Sequence, residues 1–160
     1  MTSDPRNPVI SVSAVLHAEP KRVYSTIADY REGHPRILPP QFRGLVVEKG
    51  GVGEGTVIRF EMRLLGSTRT MRGTVSEPEP GRVIAETYED SQRTVTSFTV
   101  EPLAADQTKV TIATAMNLPR GPLGTIQRSL IARLLRPIYA KELQLLEAVA
   151  SDRRAAGPVS

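Results

Sequence analysis

The sequence predicts an α+β domain, a curved antiparallel sheet of seven strands wrapped around one long C-terminal helix, with two short helices after the first strand. Three observations carry this. From Gly121 to about Arg154, apolar residues recur at helical spacing (Leu123, Ile126, Leu130, Ile131, Leu134, Leu135, Ile138, Leu145, Leu146 and Val149) and share one broad face. Residues 42–116 instead break into short segments of alternating character, separated by Gly- and Pro-rich turns. No other segment is long and apolar enough to serve as the object that such a sheet covers.

The elements follow in order. Residues 9–17 are rich in β-branched side chains and read as the first strand. Pro20 suits the first turn of a helix that runs to about Asp29, with Val23, Tyr24 and Ile27 inward. Pro35, Pro39 and Pro40 permit at most one short helical turn around Arg36–Leu38. Apolar Ile37 and Leu38 mark that stretch as one that packs over the domain, a candidate lid. Residues 42–49 form the second strand, and Gly50–Gly55 a turn. In 56–65, Ile58, Phe60, Met62 and Leu64 face one way, and Val57, Arg59, Glu61 and Arg63 the other. Gly66-Ser67 makes a hairpin into 68–77, where Met71, Gly73 and Val75 point inward. Gly73 is expected to leave open space beside it. Strands at 83–88, 93–101 (Phe98 and Val100 inward) and 108–116 (Val110, Ile112, Thr114 and Met116 on one face) complete the sheet. Pro137 is expected to kink the long helix near Arg133 and divide it into 123–136 and 138–154.

Composition narrows the class. The 160 residues make one domain, 1–160, whose ends at 1–8 and 155–160 are expected to be flexible. Net charge is +4, from 17 Arg and 4 Lys against 17 acids. The Arg residues are scattered among acids, and the few aromatics do not alternate with them as stacking platforms, so dedicated nucleic-acid binding is not expected. There is no Cys, hence no disulfide, thiolate nucleophile or Cys-ligated metal. Residues 1–8 lack the apolar core of a signal peptide, and no run reaches the ~18 apolar residues of a membrane span. A cytoplasmic protein without a transmembrane segment is the expectation; the oligomeric state stays open. His17 and His34, the only histidines, lie far apart, and neither a metal nor a cofactor is expected. The Gly50–Gly55 run leads into a strand, whereas a phosphate loop leads through Gly-Lys-Ser/Thr into a helix, so it reads as a turn.

Several local patterns resemble those of the START-like, polyketide-cyclase superfamily (SRPBCC), which includes the major birch pollen allergen. Residues 9–29 resemble its opening: a strand, an Ala-x-Pro turn (Ala18, Pro20), then a helix with Val23-Tyr24 that ends in Ala28-Asp29. The family usually has Trp where Tyr24 stands. Gly53-x-Gly55-Thr56 resembles its glycine turn, and Phe98-Thr99-Val100-Glu101-Pro102 its penultimate strand. The resemblance covers roughly residues 9–150 and implies a helix-grip fold. Its members cyclise polyketides, carry lipids, hormones or quinones, or bind proteins, so it implies no single function.

Two functions are therefore weighed. One is binding or carriage of a hydrophobic or amphipathic small molecule, of lipid, polyketide or quinone type, between sheet and helix. Phe60, Met62, Leu64, Met71, Phe98, Val100, Leu130, Leu134 and Ile138 would form the apolar wall. The other is a polyketide cyclase- or aromatase-like enzyme that holds its substrate in the same cavity. His34, Tyr88, Tyr139 and Glu142 are its candidate proton-transfer groups. Each has a plainer reading. His34 would be an exposed loop residue, and the tyrosines core aromatics with a wet tip. Glu142 either sits at the helix flank paired with an Arg, or faces the cavity, where burial would raise its pKa.

Overall fold

Alternating strands with one apolar face bury that face only when something covers it, and here the cover is the C-terminal helix. The computed structural model describes residues 7–152. Its elements are β1 (Ile10–Leu16), α1 (Pro20–Ala28), a 3₁₀ turn (His34–Ile37), β2 (Phe42–Lys49), β3 (Val57–Leu64), β4 (Ser67–Glu79), β5 (Val83–Tyr88), β6 (Val95–Ala104), β7 (Gln107–Ala115) and α2 (Pro122–Ser151). The strands form one antiparallel sheet in the order β1-β7-β6-β5-β4-β3-β2. β2 to β7 thus form a meander, and β1 returns to pair with β7. This is the expected curved seven-stranded sheet with its long helix. The second short helix is a single 3₁₀ turn that begins at His34. The expectation of flexible ends falls, apart from Asn7 and Pro8, outside the described residues. Among the described residues, no helix is long and apolar enough to cross a membrane.

The inward faces agree with the alternation. Ile58 and Phe60 on β3, Val75 on β4, Ile84 on β5, Phe98 and Val100 on β6, and Val110 and Ile112 on β7 form one core with Val23 and Ile27 of α1. The outward face carries much of the arginine. Glu48 on β2 pairs with Arg59 at 3.0 Å and Arg72 at 2.7 Å, and Arg72 also pairs with Glu89.

The glycine run is a turn that also holds α1. The Tyr30 N–H donates to the Gly51 carbonyl at 2.8 Å, and the Gly53 N–H to the Ala28 carbonyl at 2.9 Å. These bonds tie down the C-terminal end of α1, where helix carbonyls otherwise lack partners. Gly51 has φ 146°, and a Cβ there would lie 2.1 Å from Arg31 Nε, so only glycine fits.

Two expectations are corrected. Gly73 does not leave open space. It pairs with Tyr88 across β4 and β5, and a Cβ on it would sit 2.8 Å from the tyrosine ring, which fills the room that glycine provides. The helix stripe is also different. Leu123, Ile126 and Leu130 are 60%, 65% and 50% exposed, because none of the described residues covers this side of the first turns of α2. Apart from Gly124, the buried positions are Leu135, Ile138, Tyr139, Glu142, Leu143, Leu146 and Ala150, spaced by steps of one, three and four residues along one helix face. That spacing runs straight through Pro137, so its phase is not broken there. Pro137 and Arg133 are both exposed, which places the carbonyl left unpaired by proline on the solvent side.

Candidate ligand cavity

A cavity of about 200 Å³ lies between α2 and the inner face of β3–β7. The backbone of α2 approaches β1, α1 and the 3₁₀ turn most closely, and the cavity occupies the space toward the other half of the sheet. Its mouth is marked by half-buried Leu38, Met62, Leu64, Ile131 and Leu134, with exposed Arg69 and half-buried Asp90 and Gln92. Its middle is aromatic: Phe42, Phe60 and Tyr88 run edge to face, with ring centroids 5.7 and 5.9 Å apart. Its deep end is polar, and is built from His34, Glu86, Tyr88, Thr96, Thr114, Tyr139 and Glu142.

Local structure places each polar group. Gly33 lies so close to α1 that a Cβ would come 2.5 Å from the Thr26 carbonyl oxygen. That approach turns His34 inward, where its N–H donates to the Asp29 carbonyl at 2.7 Å. The ring is 3% exposed, stacks on Tyr30 at 4.3 Å and meets the edge of Phe98 at 5.5 Å. Its Nδ1 lies 2.8 Å from the Ile27 carbonyl oxygen. A carbonyl only accepts, so Nδ1 carries the proton and Nε2 of the neutral ring presents a lone pair. Glu86 reaches the same space because β5 alternates: Ile84, Glu86 and Tyr88 all point inward. Its Oε1 accepts the Tyr30 hydroxyl at 2.6 Å, and its Oε2 accepts the Tyr88 hydroxyl. Glu142 lies one helical turn beyond Ile138 and is 3% exposed. Tyr139 bonds Thr114 at 2.5 Å, and Thr114 bonds Thr96 at 2.8 Å.

Burial sets the electrostatics. It is the main reason that the Glu142 carboxyl lies well above the ordinary range, and the charge of Glu86 adds to the rise. Burial also holds His34 below its ordinary value, against opposing pulls from Glu86 and the Ile27 carbonyl. Although Nε2 lies only 3.6 Å from Glu86 Oε1, the pair is therefore a contact of a neutral ring with a carboxyl, not an ion pair. Tyr139 is pushed up to about 12, first by burial. Tyr30 and Tyr88 are raised by burial and then by Glu86. All three hydroxyls thus stay protonated near neutral pH.

The predicted residues divide as follows. His34, Tyr88, Tyr139 and Glu142 come together at the deep end. The plainer readings of all four are corrected: His34 is not an exposed loop residue, Glu142 has no cationic partner among the described residues, and the tips of Tyr88 and Tyr139 bond buried protein groups, not water. Phe60, Met62, Leu64, Met71, Phe98 and Leu134 lie on the cavity wall. Val100 and Ile138 are buried in the core away from it, and Leu130 is half exposed on the outside of the helix. Glu86 and Tyr30 were not anticipated. The alternation of Ile84, Glu86 and Tyr88 was readable, since a strand that turns Tyr88 inward also turns Glu86 inward. Tyr30 lies in the irregular stretch after α1 and left no periodic signal. Among the described residues, no cluster of His, Asp and Glu is arranged to hold a metal ion.

A seven-stranded antiparallel sheet closed over a long helix is the helix-grip fold of the START-like superfamily. The chain belongs to the polyketide cyclase / dehydrase and lipid transport family, whose model matches residues 8–151. It is similar in fold to the KanY protein solved by NMR, at 24% identity and TM-score 0.78, over 95% of this chain and 100% of that one. It is also similar to the ZhuI aromatase/cyclase from Streptomyces sp. R1128, at 17% identity and TM-score 0.74, over 94% and 98% of the two chains. A START superfamily protein from Mycobacterium smegmatis matches at 16% identity and TM-score 0.68, over 89% and 96%. At these identities the likeness is one of fold alone. No curated protein matches significantly in sequence.

Proposed function

We propose that this domain binds an amphipathic small molecule, with the apolar body along the mouth and aromatic middle and a polar group at the deep end. One observation carries the reading: behind a mouth rimmed by Arg69, Asp90 and Gln92 the cavity has an aromatic and apolar middle, and the buried groups His34, Glu86 and Glu142 gather at its deep end. A pocket of that kind gains affinity from buried apolar area and takes its orientation from a few polar contacts. The wall residues are Phe60, Met62, Leu64, Met71, Phe98 and Leu134. The family description, which joins cyclase, dehydrase and lipid transport, supports a hydrophobic ligand without naming it. The test is mass spectrometry of small molecules released from protein purified from its own host. The expected result is a stoichiometric amphipathic compound. A cavity that retains nothing, and that admits no apolar ligand added later, would refute the reading.

A second reading is favoured by the pairing of a neutral buried acid with an unprotonated imidazole. Glu142 would protonate a carbonyl or leaving hydroxyl, and His34 Nε2 would take a proton, as in a cyclisation or dehydration of a polyketide-type chain. Under this reading, Glu142→Gln should slow turnover of such a substrate by roughly 10²–10⁴-fold while binding persists. Equal turnover by wild type and variant would exclude it.

A further inference from the structure

We propose that the deep end of the cavity recognises a protonated amine on an apolar ring-sized body, with Glu86 and Glu142 as counter-charges and His34 Nε2 as a hydrogen-bond acceptor. The inference rests on the reading of the cavity as a ligand site and names the ligand's polar group.

It follows from a count of donors and acceptors. The protein's own donors at this end are largely engaged. Tyr30 and Tyr88 each donate to Glu86, and the Nδ1–H of His34 donates to Ile27. Tyr139, Thr114 and Thr96 bond one another in a chain, which leaves one hydroxyl proton uncommitted. The acceptors are in surplus. Among the described residues no donor is aimed at the lone pair of His34 Nε2, and each Glu86 oxygen retains a further acceptor site after accepting one tyrosine. The Glu142 carboxyl forms no ion pair among the described residues; while protonated it holds one further donor, and when an ammonium sits beside it and it gives up that proton it becomes an acceptor and a counter-charge.

The charges point the same way. Two buried carboxyls face one small space, and among the described residues the only Lys or Arg on the cavity lining is Arg69, exposed at the mouth. Buried carboxyls are ordinarily compensated by a cation, and none of the described residues supplies one at the deep end. A carboxylate or phosphate ligand would add negative charge and acceptors to a site already rich in both. A ketone or ester could take the Glu142 proton but would leave His34 Nε2 without a donor and the site without a cation. An ammonium group brings three donors and the missing positive charge. Phe60, Phe98 and Tyr88 line the same cavity, and an aromatic ring is a surface that a cation can approach and an anion avoids.

The test uses three ligands that share one indole body: tryptamine with an ammonium, tryptophol with a hydroxyl and indoleacetate with a carboxylate. Each is titrated into the full chain by calorimetry. Tryptamine should bind about tenfold or more tighter than tryptophol, which is roughly 1.4 kcal/mol, and indoleacetate should bind weakest. Glu142→Gln should remove most of the preference for tryptamine over tryptophol, since an amide offers the ammonium no counter-charge. Glu142 is the first choice because it anchors no tyrosine; Glu86→Gln is the second variant and should act in the same direction. Indoleacetate binding as tightly as tryptamine would overturn the proposal, as would an amine preference that survives both substitutions. If tryptophol binds and tryptamine binds no better, the amine inference falls and the ligand-cavity reading stands. If none of the three binds while an amphipathic compound co-purifies, the result is the same. If none binds and nothing co-purifies, both fall.

Discussion

Replacing Glu142 with Gln should make the protein more stable, and increasingly so as pH rises. The carboxyl is 3% exposed, faces a second carboxyl and has no cation beside it among the described residues, so its folded-state pKa is raised well above 4.5. A raised carboxyl contributes its stability below the unfolded value and loses it as pH climbs toward the folded value, because the unfolded chain releases the proton first. Across that window the wild type loses about 1.4 kcal/mol per pH unit from this one group. Gln keeps the shape and has no proton to hold. The difference in stability between variant and wild type should therefore be small near pH 4.5, grow with pH by up to about that amount per unit, and level off once the folded-state value is passed. In a domain of this size that corresponds to roughly 3–5 °C in Tm per pH unit. The assay is a set of thermal melts of both proteins by circular dichroism at about pH 5, 6, 7 and 8. His34 and the tyrosines are common to both chains, so their titrations largely cancel in the difference. Parallel Tm curves would refute the reasoning, since they would mean that Glu142 folds in its ionised form. A uniform loss in the variant would instead show that the carboxyl makes a hydrogen bond that an amide cannot replace.

Other outcomes follow from the same structure. His34 has a lowered pKa, so its contribution is fully present above the ordinary value of 6.5 and is lost as pH falls from there toward the folded value; a His34→Gln variant should show a flatter acid limb in the same melts. Leu146→Ala should cost about 2–5 kcal/mol in urea unfolding because Leu146 is fully buried, whereas Leu134→Ala, at the cavity mouth, should cost less and weaken ligand binding. Gly73→Ala should destabilise by about 1–3 kcal/mol, because the new methyl would press on the Tyr88 ring; an unchanged denaturation midpoint would show that the ring yields freely.

The architecture was legible because it rests on local periodicities. Strict alternation in residues 56–65 told which side chains of β3 point inward, and the same rule placed Met71 on β4 and Phe98 on β6. The turn at Gly50–Gly55, the entry of α1 at Pro20 and the extent of α2 follow from residue types that act within a few positions. The stripe on α2 was legible only in part. Apolar spacing reports which residues share a face, but not how far the sheet extends beneath it, so Leu123, Ile126 and Leu130 matched the pattern and still lie exposed.

What the sequence determined by itself, then, was an α+β chain of seven strands and a long helix, with an apolar inner face. The site was decided by tertiary structure. His34 lies in an irregular stretch between prolines, and its burial depends on Gly33 lying against Thr26 and on the carbonyl of Ile27. Glu86 and Tyr30 are 56 positions apart and meet only because α1 crosses the inner side of the sheet. Glu142 had two places open to it, and the buried one was settled by the unbroken phase of α2 through Pro137. Short-range periodicity is encoded residue by residue, whereas the meeting of two carboxyls and a histidine depends on how a strand, a turn and a helix dock, and no single stretch of the chain contains that information.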